Sequence, residues 1–141
     1  AMLVTILYRM EGEPEVTGDT PFTDLDLVNG TWYLDPLAWA YENEIITGRD
    51  ETTFDPMGQV TREETAAILY RYAAYKGMDT SATADLTNFP DNGSVSTWAG
   101  DSVKWAVSFG LISGKDDGRL DPLGTATRAE VATILMRFLS R

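Results

Sequence analysis

The apolar positions of the chain fall into short helical stripes separated by turn-rich polar stretches. Near the C-terminus, Val131, Ile134, Leu135 and Phe138 keep the i, i+3, i+4, i+7 spacing of a single buried helix face. Leu3, Ile6, Leu7 and Met10 keep the same spacing at the start, which predicts a helix over residues 1–11. A further helix is predicted from about Thr97 to Phe109, ending at Gly110 in a left-handed cap. Another is predicted to begin near Asp35 and Pro36, read as an N-cap followed by Pro at the first helical position. Its end is less defined, because Glu44 stands where the other helix has its terminal glycine, so Asn43 or a different turn has to stop it. Thr61 with Glu64, and Thr127 with Glu130, have the spacing of capping boxes that open two more helices. Residues 48–58 and 114–124 lie between helices and carry Pro56 and Gly58, Pro122 and Gly124, which break regular structure. The predicted class is all-α.

The pattern is duplicated. A shift of 66 residues places Trp32 on Trp98, Trp39 on Trp105, Gly48 on Gly114 and Arg62 on Arg128, with 17 identities in the 42 pairs from position 32 to 73. Chance on ordinary residue usage would give about three. Phe22 and Asp24 answer Phe89 and Asp91 at a shift of 67, so the copies differ by one residue in the loop before the first Trp. A third copy is represented only by its last helix, since residues 6–9 repeat residues 68–71 and parallel 134–137. The expected organisation is therefore the C-terminal helix of a truncated repeat (1–11), a linker (12–21), a full repeat (22–76), a second linker (77–88) and another full repeat (89–141). The chain opens one residue after the Thr-Arg of the other copies and closes on Arg141, the ends a trypsin-like cut leaves, so a trimmed fragment is expected. The packing partner of the first helix is left open at this level.

Composition narrows the chemistry. A formal net charge of -11 disfavours nucleic acid, whose phosphates need clustered Lys and Arg. With no Cys and no His, thiolate metal sites and the commonest catalytic acid, base and metal ligand are absent. The apolar opening of the chain is too short to span a membrane. Twenty-two carboxylates make close pairs inevitable, so their abundance is no sign of a glycosidase. The acidic run Asp116, Asp117 and Asp121 fails the alternating spacing of a calcium-binding EF-hand loop. No catalytic residue, metal site or cofactor is expected.

The order of elements resembles the S-layer homology family. The carriers are Phe22 to Asp24 and Phe89 to Asp91, then Trp39-Ala40 and Trp105-Ala106. Ile45 to Gly48 and Leu111 to Gly114 follow, then Phe54 to Pro56 and Leu120 to Pro122, and last Thr61 to Glu64 and Thr127 to Glu130. That resemblance implies helix-loop-helix repeats in a pseudo-threefold bundle on a bacterial surface. It also implies non-catalytic anchoring to the cell wall through an acidic, often pyruvylated, secondary cell-wall polysaccharide attached to peptidoglycan. The alternative is a protein-protein assembly module without carbohydrate affinity.

Arg62 and Arg128 are the leading candidates for gripping a carboxylate. A cation at the first turn faces the positive end of the helix dipole, an arrangement unfavourable by about 0.3–1 kcal/mol when exposed. Either a carboxylate pairs with each Arg, or Arg and free helix amides form an anion site. Trp32 and Trp98 are candidates for stacking on sugars, whereas Trp39 and Trp105 are expected in the core. Gly48 and Gly114 are read as turn residues with positive φ whose amides can meet a carboxylate. Asp24 and Asp91 are expected to cap the turn that follows or to accept sugar hydroxyls. Arg9, Arg71 and Arg137 recur late in the helix and are read as structural, with an intramolecular carboxylate partner.

Overall fold

The computed structural model describes residues 2–16, 34–46, 60–114 and 118–140, in two compact units, Ala1–Gly58 and Gln59–Arg141, each considered by itself. The first unit holds α1 (Met2–Met10) and α2 (Leu34–Glu42), and the second holds α3 (Arg62–Tyr75), α4 (Gly100–Phe109) and α5 (Arg128–Leu139). Two short 3-10 turns, Asn92–Ser94 and Thr97–Ala99, precede α4. Among the described residues the only β pairing is an isolated antiparallel bridge between Thr61 and Thr125. The fold is all-α.

In each unit the helices that pack along one another belong to different copies of the sequence repeat. The last helix of one copy meets the first helix of the next: α1 lies on α2, and α3 lies on α4. The same two side chains make both junctions. Tyr8 meets Trp39 at 5.7 Å between ring centroids, and Tyr70 meets Trp105 edge-on at 5.5 Å. Both Trp rings are buried, at 2% and 1% exposure, as large apolar surfaces in a small domain should be. α1 thus has its partner inside its own unit. In the second unit α5 joins through Phe138, which packs on Tyr72 of α3 and Phe109 of α4.

The predicted stripe on α5 is observed: Val131, Ile134, Leu135 and Phe138 are all buried. On α1 it is rotated, with Leu3, Val4, Leu7 and Tyr8 buried and Met10 39% exposed. Tyr8 draws the rotation by covering Trp39, and its hydroxyl donates to the carbonyl of Pro14 at 2.8 Å. The first helix of the last repeat begins as the Thr97–Ala99 turn and becomes α-helical at Gly100. Similarly, α2 begins at Leu34 rather than at Pro36, which still falls in the first turn, where its missing N–H removes no intrahelical bond.

The helix ends show how one backbone turn is built from two sequences. Gly110 closes α4 at φ 87°, and the amide of Leu111 returns to the carbonyl of Ala106 at 2.9 Å. At the matching position Glu44 adopts φ 60°, with the amide of Ile45 returning to Ala40 at 2.8 Å. The turn is therefore conserved in geometry and is not replaced by another kind. The side-chain amide of Asn43 donates to the Trp39 carbonyl at 2.9 Å, beside the bond from its own backbone amide at 3.1 Å. A left-handed Glu carries the Cβ strain that glycine avoids. Glu44→Gly is expected to raise stability by about 0.5–1 kcal/mol and Gly110→Ala to lower it by about 1 kcal/mol in urea melts.

Candidate functional site

The start of α3 is a junction. Thr61 and Glu64 form the full capping box: the Glu64 amide donates to the Thr61 hydroxyl at 3.1 Å, and the Thr61 amide donates to the Glu64 carboxylate at 3.3 Å. The amides of Arg62 and Glu63 donate to the carbonyls of Gly124 and Pro122, both at 3.0 Å, and the Ala126 amide donates to Val60 at 2.8 Å. The loop of the last repeat thus covers the N-terminus of the preceding repeat's helix, satisfying donors that every helix leaves open.

Arg62 completes the junction. Its side chain is buried, and its guanidinium donates in three directions: Nε to Leu120 O at 2.8 Å, Nη2 to Ser113 O at 3.1 Å and Nη1 to Glu130 at 3.0 Å. Of the two explanations open for an Arg at this position, pairing with a carboxylate is the one found, with two carbonyls added. Glu130 is correspondingly diverted. Its amide still donates to Thr127 Oγ1 at 3.1 Å, but its carboxylate faces Arg62 and the Thr127 hydroxyl, with no return bond to the N-cap amide. Arg128, the repeat-mate of Arg62, is exposed and has no hydrogen-bond or ion-pair partner among the described residues.

Beside this junction lies an open groove of about 690 Å³, walled by the start of α3, residues 111–114 and one flank of α5. Arg62, Ser113, Gly114, Glu130, Thr133 and Arg137 line it. Arg137 is exposed, and its Nη1 donates to the Leu111 carbonyl at 3.3 Å rather than to a carboxylate. Arg71 likewise has no carboxylate partner among the described residues, and burial lowers its pKa. Among the described residues, then, no carboxylate pairs with Arg71 or Arg137, and Arg137 joins the candidate site. The signal available in sequence was its recurrence with Arg9 and Arg71 at one register.

Gly114 is needed for space, not for a left-handed backbone: a Cβ there would approach Phe89 Cε1 to 3.2 Å. Asp91, two residues on from Phe89, does not cap its own turn with its carboxylate. It accepts the amides of Leu120 and Asp121 at 2.9 and 2.8 Å, stapling the start of the repeat to its inter-helix loop. Burial of the carboxyl pushes its pKa up, but the amides of Leu120, Asp121 and Asp91 itself, with the Arg119 charge, outweigh that, and the net shift is downward. Glu63, which sequence reasoning did not single out, is buried and accepts from the amide and hydroxyl of Ser96 at 2.9 and 2.5 Å. Trp98, two residues further, is 56% exposed. Of the candidate residues, then, Arg62 and Gly114 share the groove, while Asp91, Trp98 and Arg128 do not line it. Trp32, Gly48 and Asp24 lie outside the described residues, as do Asp116 and Asp117. Among the described residues no cluster of acidic side chains could hold a metal, and no helix is long and apolar enough to cross a membrane.

A repeat whose Thr caps its own helix and whose Arg grips the next copy defines a helical repeat module. The chain belongs to the S-layer homology domain family, whose model matches residues 21–66 and 88–132. It is 36% identical over 118 residues to exoglucanase XynX of Acetivibrio thermocellus, covering 82% of this chain and 11% of that protein. It is 34% identical over 128 residues to the surface-layer 125 kDa protein of Lysinibacillus sphaericus, covering 89% and 10%. With a cellulosome-anchoring protein of A. thermocellus it shares 26% identity over 123 residues, covering 87% and 27%. The chain therefore spans about a tenth to a quarter of the length of these relatives, and the enzyme named among them is matched over 11% of its length. Domains of this family anchor surface proteins to the bacterial cell wall.

Two outcomes follow from the junction. Arg62→Ala, which strands the Leu120 and Ser113 carbonyls, is expected to cost about 2–3 kcal/mol in denaturant melts, and Arg128→Ala less than about 0.5 kcal/mol. Asp91 has a folded pKa below its unfolded value, so its contribution is fully present above the ordinary carboxylate range. That contribution is lost as the pH falls through the depressed folded value. Asp91→Asn should therefore lower stability at neutral pH, by less than about 1 kcal/mol once solvent screening of this accessible carboxylate is allowed for, and flatten the loss of stability on acidification below about pH 4.

Proposed function

We propose that the chain anchors its parent protein by binding an acidic secondary cell-wall polysaccharide, with a carboxylate of the polymer held in the groove beside α5. The observation that carries this reading is Arg137. In a chain of net charge -11 it places an exposed guanidinium, with only Nη1 engaged, over an open groove of about 690 Å³. Charge-assisted bonds from guanidinium to carboxylate are the strongest hydrogen bonds open to such a site. Ser113 and Thr133 bring hydroxyls suited to sugar.

Arg62 shapes this groove, with three of its five N–H donors engaged by Leu120, Ser113 and Glu130. Arg128 and the exposed Trp98 extend the proposed surface as a second cation and a stacking platform, with Trp32, Gly48 and Asp24 as the preceding repeat's counterparts of Trp98, Gly114 and Asp91. A pyruvyl ketal or a uronate supplies the required carboxylate. The relatives support a wall partner, since one is a surface-layer protein and another is named for anchoring a cellulosome.

The test is a pull-down on isolated cell walls with and without their secondary polymer. Wild type should be retained only on walls that carry the polymer. Arg137→Gln should lose at least about tenfold in affinity, the worth of one such bond, while melting within about 2 °C of wild type. Equal retention on stripped walls, or unchanged affinity of Arg137→Gln, counts against the reading.

A further inference from the structure

Glu64 and Glu130 correspond at the shift of 66 residues, and each stands third in its helix. Glu64 turns back to its own N-cap and accepts the Thr61 amide at 3.3 Å. Glu130 turns away from its own: Oε2 meets Arg62 Nη1 at 3.0 Å, Oε1 accepts the Thr127 hydroxyl at 3.3 Å, and no bond comes from the Thr127 amide. The two repeats thus display two seats for the same side chain, one in the capping box and one on an arginine.

The second of these seats lies in the wall of the groove, which Arg62, Glu130 and Arg137 all line. The Glu130 side chain keeps 32% exposure there. Arg62 Nε and Nη2 are bonded to backbone carbonyls of the inter-helix loop, whose positions the fold sets. Glu130 ends in rotatable bonds and has a vacant acceptor position within its own cap. It is therefore the partner of Arg62 that exchanges without any movement of the backbone. It is also a like charge to any carboxylate entering the groove, and like charges at close range disfavour each other.

We propose that Glu130 is a specificity-determining residue of the groove, an internal carboxylate that competes with the acidic polymer for Arg62 and turns to the Thr127 amide when the polymer is bound. This rests on the reading of the groove as the polymer's site. The hydrogen bonds balance across the exchange: a carboxylate of the polymer takes the place of Glu130 on Nη1, and Glu130 closes its capping box as Glu64 does. Without polymer, Glu130 keeps the buried guanidinium paired, which an arginine out of water requires. A sugar without a carboxylate offers Arg62 nothing in return and leaves Glu130 in place.

Glu130→Gln and Glu130→Asp separate charge from structure. Both disturb the bond to Arg62, and both are expected to lower the melting temperature by about 3 °C or more. Only Glu130→Gln removes the competing charge. On isolated cell walls that carry their secondary polymer, at a temperature below both melting transitions, it should bind at least about threefold more tightly than wild type, and Glu130→Asp no more tightly. On walls whose carboxyl groups have been reduced to alcohols, Glu130→Gln should hold no advantage. A measurement on the wild-type chain stands beside the variants: on addition of soluble polymer released from the walls, the Thr127 amide should exchange with solvent at least about fivefold more slowly, because it gains an acceptor. Glu130→Gln binding no more tightly than wild type overturns the proposal, as does an equal gain in Glu130→Asp, a gain that persists on reduced walls, or unchanged exchange at Thr127. Wild type retained equally on stripped walls removes the underlying reading of wall binding, whatever the variants do.

Discussion

The second unit depends on one buried guanidinium. Arg62 leaves the N-terminus of α3, where the helix dipole disfavours it, and finds in the next repeat two carbonyls and a carboxylate placed to receive all three of its nitrogens. Those carbonyls, from Ser113 and Leu120, belong to the two ends of the inter-helix loop, and the carboxylate belongs to the following helix. Removing the guanidinium therefore loosens a loop at both ends and unpairs a helix start. A buried cation is tolerated only under such saturation, because a guanidinium left short of partners out of water costs several kcal/mol.

The motif Thr-Arg-x-Glu then reads as a division of labour and not as a local cap alone. Thr61 and Thr127 serve their own helices. Arg62 serves the next repeat. The Glu either closes its own box, as Glu64 does, or accepts the Arg of the repeat before, as Glu130 does. Phe89, Asp91 and Gly114 make a second fastening of the same loop: Asp91 holds residues 120 and 121 by their amides, and the bare α-carbon of Gly114 admits the Phe89 ring. Elements that look like separate signatures in the sequence are two ends of the same contacts.

What could be read beforehand divides along sequence distance. The Thr caps, the Gly110 turn and the α5 stripe were legible because each is decided within about four residues, by hydrogen bonds and by the helical period. The burial of Trp39 and Trp105 was legible from size and context, though not the tyrosines that cover them. The partner of Arg62 was not legible, since Glu130 lies 68 residues away, nor was that of Asp91, 29 and 30 residues away. Gly114 was assigned to the wrong cause for the same reason: a glycine kept for a positive φ and one kept for a neighbour's ring look alike in sequence. Arg137 was set aside as structural because its position suits the helix dipole, yet suiting the dipole does not consume a guanidinium's five donors. Period and packing also differ. The sequence repeats as helix, loop, helix, while the helices pair across the linker, so that the repeat of residues 22–76 contributes one helix to each of two packed pairs.

The charge of the chain bears on how such a module could hold an anionic polymer. At physiological ionic strength charges beyond about 8 Å are largely screened, so most of the 22 carboxylates act on a ligand only weakly and the nearest cations decide the contact. Glu130 is the carboxylate in the groove wall, and its ion pair with Arg62 neutralises it there, leaving Arg137 as the net charge presented by the lining. The junction that builds the groove thus also sets its sign. For a duplex nucleic acid, affinity falls steeply with salt because each neutralised phosphate releases counterions. For a polymer held by one or two arginines on an acidic surface, added salt weakens the local attraction and the long-range repulsion together. The two effects oppose each other, and the salt dependence of wall binding should be shallow.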